Sequence, residues 1–236
     1  MVLCQHISAN ANSGHKFESL SVLPRPWAEC SRSEIEARDA ATVNTNAQYC
    51  SVVRTGIGKA TLILGGEVDC IQGEKPDDPN APIPWIELKT TAEPPSYTPF
   101  EVQKFERKML RFWAQSFLLG VPKIMVGFRT YDGYLTRILE YETHHMPGIV
   151  SNGQGSWNGN MCVNMTAAFL EFLKTTIMGT EGVWRIKRAK NTGYIQVFKV
   201  EETGTGSIIP DSFKLHCEEL LAAEIARKLG GEVTGD

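Results

Sequence analysis

Between Thr61 and Thr90 the chain carries two apolar runs, T-L-I-L-G-G-E-V-D-C and W-I-E-L-K-T. They are separated by Ile71 to Pro84, a segment too rich in Pro, Gly and Asp to continue either run. The pattern predicts a β-hairpin. Side chains alternate along a strand, so Glu67 and Asp69 share one face of the first arm, and Glu87 and Lys89 share one face of the second. A hairpin centred on Asp78 sets Glu67 opposite Lys89 and Asp69 opposite Glu87. So long a connection leaves the register open, but even a slip of two keeps three carboxylates and one ammonium on one patch of sheet. Leu62, Leu64, Val68, Ile86 and Leu88 fill the opposite face, while Ile63 and Trp85 share the face of the acids. Both faces are therefore expected to be partly buried. Carboxylates buried without partners are costly, which favours a site over a solvated edge.

Three acids on rigid strands repel one another and raise each other's pKa unless a cation joins them. Ligands that are all oxygen suit Mg²⁺ or Mn²⁺, which leave positions open for water and phosphate. A lysine among them serves as a point charge beside the nucleophile or the charge developing on phosphorus.

The chain has 236 residues, enough for one domain with a sizeable core. Its cysteines (Cys4, Cys30, Cys50, Cys70, Cys162 and Cys217) form no C-x-x-C pair and lie near no histidine at zinc spacing. That argues for a reducing compartment and against a disulfide framework or zinc site. No apolar run approaches membrane-spanning length, so no membrane partner is expected. The net charge of −3 does not advertise nucleic-acid binding, yet a carboxylate-rich metal site offsets local basic patches. Residues 1–13 and 231–236 are expected to be disordered.

The strongest helix signal runs from Phe100 to Leu119, ended by Gly120 and Pro122. Its apolar face is Phe105, Met109, Phe112, Trp113, Ser116 and Phe117. Lys104, Lys108, Arg111 and Gln115 form a separate stripe, which packing across the sheet could aim at phosphates. Glu106 falls on the apolar side, and the sequence gives no reason for it. Gly14 to Leu20 opens a short helix or strand, and Ser33 to Ala40 a helical turn. Gln48 to Arg54 reads as a strand that turns at Gly56 and Gly58 into the Thr61 strand. Strands are also expected at Ile124–Phe128 and Tyr134–Leu139 around Asp132-Gly133. Ser151 to Asn160 reads as a loop before a helix to Met178. A strand pair at Trp184–Ala189 and Gly193–Val200 and a helix from Asp211 to Leu229 follow. The fold class is mixed α/β, a largely antiparallel central sheet flanked by helices.

An acid followed by E-x-K on the neighbouring strand resembles the PD-(D/E)xK nuclease signature. With G-H-K-F-E at Gly14–Glu18, V-N-T-N-A-Q-Y-C-S-V-V-R at Val43–Arg54 and F-W-A-Q-S-F-L-L-G-V-P at Phe112–Pro122, the chain resembles the DXO/Rai family of RNA 5′-end enzymes from about Gly14 to about Phe172. The resemblance implies a PD-(D/E)xK-like core in one domain over residues 1–236, with the family's N-terminal part and its 5′-end arginine preceding this chain. It implies metal ligands at Glu18, Glu67, Asp69, Glu87 and the Leu88 carbonyl, binding two Mg²⁺ or Mn²⁺ ions. Glu67, Asp69, Glu87, Lys89 and Gln115 would be catalytic, and Glu18, Arg54, Lys89, Lys108 and Gln115 would meet substrate. His15 departs from the aromatic usual at its position. The implied activity is hydrolysis at RNA 5′ ends: removal of incomplete or unusual caps, pyrophosphate release from 5′-triphosphates and, in some members, 5′→3′ digestion. A nuclear location and a nuclear 5′→3′ exoribonuclease partner are implied as well. Two other readings are a non-catalytic stabiliser of such an exoribonuclease and a PD-(D/E)xK DNA nuclease.

Overall fold

The computed structural model describes residues 13–46 and 48–230. Of the two ends expected to be disordered, all but Ser13 lie outside the described residues; Ser13 begins the first helix, α1 (Ser13–Ser21). A short helix, α2 (Arg32–Ala37), follows, started by a capping box between Ser31 and Glu34.

The first strands correct the predicted hairpin. β1 (Cys50–Ile57) and β2 (Ala60–Glu67) pair with each other along their whole length. They turn at Gly58, whose φ of 58° lies in the left-handed region that favours glycine. Glu67 is thus claimed by a separate two-stranded ribbon. What remains of the predicted pairing is β3 (Cys70–Ile71) against β4 (Trp85–Ala92), with Cys70 facing Ile86 and Ile71 facing Trp85. That is the register of a hairpin centred on Asp78, reduced to two residues on its first arm.

From β4 the chain enters α3 (Pro99–Leu119), capped by Thr98 and ended by Gly120 in the left-handed conformation. It returns as β5 (Lys123–Arg129) and turns back as β6 (Leu135–Glu142). The sheet order is β3-β4-β5-β6. Its outer pairs are antiparallel, as expected, but β4 and β5 run parallel. A helical crossover such as α3 is what joins parallel neighbours.

Each face of this sheet is covered. Met109, Phe112 and Trp113 of α3 pack with Ile124, Val126 and Phe128 of β5. On the opposite face, Ile86 and Leu88 of β4 pack with Phe17 and Leu20 of α1. Gly127 lets α1 approach, since a Cβ there would stand 2.8 Å from a Phe17 ring carbon.

α4 (Met146–Asn152) occupies a stretch whose last two residues the sequence assigns to a loop. Pro147 and Gly148 mask the signal, although proline in a first turn is compatible with a helix. Met146 and Val150 are fully buried. α5 (Gly159–Ile177), the antiparallel pair β7 (Val183–Lys187) and β8 (Gln196–Glu201), and α6 (Asp211–Gly230) complete the chain. The described residues up to Leu170 form one compact unit and those from Glu171 another, where the sequence reading expects one domain. No helix among the described residues is long and apolar enough to cross a membrane.

The structure accounts for Glu106. Its carboxylate accepts the Gln154 amide at 2.7 Å and the Ser156 amide at 3.1 Å, while Trp157 Nε1 donates to its carbonyl at 2.7 Å. The side chain, 4 % exposed, fastens the segment after α4 to α3. Glu106→Ala would strand both amides, at a cost of about 2 kcal/mol. A thermal melt of that variant should show the loss, and an unchanged midpoint would contradict it.

Candidate active site on the face between β4 and α3

Alternation along β4 turns Glu87, Lys89 and Thr91 toward α3, on the side opposite Ile86 and Leu88. Glu87 is only 1 % exposed. Its Oε1 pairs with the Lys89 ammonium and also accepts from Gln115 Nε2 of α3 at 2.9 Å. Its Oε2 is buried and has no hydrogen-bond partner among the described residues. Leaving such an oxygen bare is costly.

Asp69 precedes β3, and its Oδ2 accepts the Leu88 amide at 2.6 Å. The N–H and C=O of one strand residue leave on the same edge. The Leu88 carbonyl therefore lies on the β3 edge of β4, the edge to which Asp69 is bound. Glu18 comes from α1, with His15 Nδ1 3.2 Å from its Oε2.

These acids share one electrostatic neighbourhood. Burial raises the Glu87 carboxyl above its ordinary value; Lys89 opposes the rise, and Asp69 and Glu18 add to it. Burial likewise raises Glu18, reinforced by Asp69 and opposed by His15 and Lys89. The Cys70 thiol is pushed up to about 12 by burial and by Asp69, Glu87 and Glu18. Without a cation the thiol is protonated beside these carboxylates.

The predicted site residues separate into two groups. Glu18, Asp69, Glu87, Leu88, Lys89 and Gln115 come together. Lys108 lies on the same face two β4 residues further on, its Nζ donating to Thr91 Oγ1 at 2.8 Å and to the Thr90 carbonyl at 3.3 Å. Glu67, two residues before Asp69, is exposed at the end of β2, opposite Cys50. Arg54 is exposed on the same face of that ribbon, opposite Ile63. Ile63 is itself 76 % exposed, so the expectation of two buried faces holds for β4 and fails for β2. Sequence reasoning missed His15 as a site neighbour, although its place three residues before Glu18 on a helix was a usable signal. It also missed Cys70.

Among the described residues, the three ligand-type side chains that meet within 4.8 Å are Glu142, His144 and His145, exposed at the end of β6. Glu18, Asp69 and Glu87 stand further apart, as unneutralised carboxylates do. They nevertheless fit a hard divalent cation: the donors are all oxygen, the Leu88 carbonyl lies on the same edge, and one buried oxygen lacks a partner.

The chain matches the family model described as RAI1 like PD-(D/E)XK nuclease over residues 5–214. Decapping nuclease RAI1 of Emericella nidulans is 54 % identical over 201 residues, covering 85 % of this chain and 56 % of that protein. Decapping nuclease din1 of Schizosaccharomyces pombe is 38 % identical over 186 residues, covering 70 % of this chain and 52 % of that one. The crystal structure of Scheffersomyces stipitis Rai1 superposes with a TM-score of 0.78 at 33 % identity, over 88 % of this chain and 56 % of that one. Candida albicans Rai1, in complex with pU5-Mn²⁺, gives 0.65 at 35 % identity, over 70 % of this chain and 44 % of that one. The chain spans about half the length of the curated relatives it matches. A family model that spans most of the sequence, relatives more than half identical, and a shared fold lead to one conclusion: the chain belongs to the RAI1-like PD-(D/E)XK nuclease family.

Proposed function

We propose that this chain carries the divalent-metal hydrolytic site of an enzyme acting on RNA 5′ ends, removing incomplete or unusual caps and releasing pyrophosphate from 5′-triphosphates. The observation that carries the reading is the unpartnered Oε2 of buried Glu87, set in one neighbourhood with Asp69 and Glu18. The names of the relatives and the pU5-Mn²⁺ complex of the Candida albicans protein support it.

Asp69, Glu87, Glu18 and the Leu88 carbonyl would hold Mg²⁺ or Mn²⁺, two ions in the full set. A bound divalent cation supplies acidity to water and positive charge to phosphoryl oxygens. The chain's own groups do the rest. The Leu88 amide fixes Asp69 Oδ2 and so aims the carboxylate. Lys89 and Gln115 hold Glu87 through one oxygen, which leaves the other to face a cation. The Lys89 ammonium adds a fixed positive charge where negative charge develops on phosphorus. Lys108, one segment along β4, meets the substrate beyond its reacting end. Glu67 and Arg54 would reach substrate only from the β1–β2 ribbon. We further propose a nuclear location and a nuclear 5′→3′ exoribonuclease as partner, on the strength of the family resemblance.

The deciding experiment incubates the purified chain with 5′-triphosphate RNA, capped RNA and single-stranded DNA, with and without Mn²⁺. Metal-dependent product from the RNAs, lost in Asp69→Ala, is the expected outcome. Activity that survives in Asp69→Ala overturns the site, and equal digestion of DNA overturns the 5′-end RNA reading.

A further inference from the structure

Beyond Lys89, the face of β4 continues into a cleft of about 350 Å³ whose wall includes Thr91, Pro94, Lys104, Lys108, Arg129 and Tyr131. Thr91 lies four positions beyond Glu87, roughly 13 Å along a strand. α3 runs alongside in the opposite sense: Gln115 touches Glu87 and Lys108 touches Thr91. One continuous face therefore joins the carboxylates to the cleft.

Arg129 enters that cleft because of an irregularity. The pairing of β5 with β6 shifts between Phe128 and Arg129, and bulges of this kind re-aim a side chain. Arg129 Nη1 donates to the Thr130 carbonyl, but its Nε is buried without a partner among the described residues. Lys108 spends two of its three donors on Thr90 and Thr91. The two acids of the wall are already paired, Glu93 with Arg137 and Glu101 with Lys104 of the same wall. No ion pair among the described residues neutralises Lys108, Arg111 or Arg129. Burial and the neighbouring Arg129 and Arg111 lower the Lys108 pKa, as crowding of cations without an anion does. Tyr131, 71 % exposed, stands at the rim.

We propose that Lys108 and Arg129 hold an internucleotide phosphate of the RNA strand, inward of its reacting 5′ end, with the Tyr131 ring at the rim receiving a base. A basic groove lined with an aromatic ring is how single strands are held without sequence preference. The proposal rests on the reading of the Glu87 site as an RNA 5′-end site. It adds the direction of the strand: from β4's middle toward its carboxyl end, past Lys108 to Arg129. The same chemistry would suit a distant phosphate of a dinucleotide cap, so the test separates the two.

The test measures equilibrium binding by fluorescence anisotropy, with Ca²⁺ replacing Mn²⁺, of 5′-phosphorylated RNAs of increasing length and of a dinucleotide cap without RNA. In the unmodified chain affinity rises with length. Arg129→Gln and Lys108→Met should each flatten that rise, with a several-fold loss on the longest RNA, and lower the salt slope by about 0.7. Lys108→Arg, which keeps the charge, should retain the length dependence, and melting curves verify that each variant is folded. Tyr131→Ala should weaken long RNAs without changing the salt slope. Unaltered length dependence in both charge variants overturns the subsite, as does a loss equal at every length. A loss confined to the dinucleotide cap overturns its assignment to the RNA strand. If the unmodified chain binds no RNA at all, the reading of the Glu87 site fails as well, a result distinct from the others.

Discussion

Asp69→Ala and Glu87→Ala should each lower the rate of metal-dependent hydrolysis about a thousandfold, the several kcal/mol that a bound cation contributes to a phosphoryl transition state. Neither residue is placed to hold the body of the RNA, so affinity for a long strand should change little. Lys89→Ala should fall between these and the unmodified chain. It removes a charge that stabilises the transition state but no donor of the cation set, so kcat drops while KM and the metal requirement persist. Gln115→Ala is expected to act through Glu87, releasing one of the two groups that orient it. Single-turnover kinetics at saturating metal would measure all four. Hydrolysis by Asp69→Ala within tenfold of the unmodified rate would remove the site from consideration.

The second large effect is thermodynamic. Mn²⁺ that binds only the folded chain adds about 2.7 kcal/mol at a hundredfold excess over Kd. Its size should depend on pH in a definite sense. The folded pKa values of Glu87 and Glu18 lie above the ordinary 4.5. A raised folded value means that these groups contribute stability below about pH 4.5, and that the contribution is lost as pH rises through the folded values. The metal-free chain is therefore strained by them at neutral pH and relieved in mild acid. Metal needs the ionised carboxylates, so its stabilising effect grows as pH rises. Glu87→Gln keeps the acceptor used by Lys89 and Gln115 and removes the charge. In EDTA it should melt above the unmodified chain at pH 8, the difference should shrink as pH falls toward about 4.5, and its response to Mn²⁺ should be largely abolished. A variant that melts lower at pH 8 in EDTA would show that Glu87 is not a strained carboxylate.

The sequence made the grouping of Glu87, Lys89 and the intervening Leu88 legible, because one strand carries them in a short alternating pattern. α3 was equally clear, since Gly120 and Pro122 end it and a broad apolar face runs along it, and its observed start lies one residue before the expected Phe100. Hairpin partners joined by short turns, β1 with β2 and β5 with β6, were legible, but the change of partner between β2 and β3 was not. Glu67 and Asp69 are two residues apart, yet one ends a ribbon with β1 and the other borders the central sheet, and local alternation does not report where a strand changes partner. The parallel pairing of β4 with β5 depends on how α3 lies across the sheet, which is a tertiary matter. Glu106 looked like an error in an apolar stripe because its partners, the amides of Gln154 and Ser156, are nearly fifty residues away. Arg129 gave no signal, since a bulge rather than its spacing brings it into the cleft.

The shortness of β3 has a consequence of its own. With two residues in the ladder, this edge of the sheet stops where its next backbone rung to β4 would fall, and the Asp69 carboxylate supplies that rung through the Leu88 amide. A side chain thus closes the sheet at the point where the chemistry is proposed. Local opening of an edge and loss of a carboxylate from the proposed site become one event, and solvent exchange at a single backbone amide reports on both. The integrity of the site is then set by how often this edge breathes, a property distinct from the global stability of the chain.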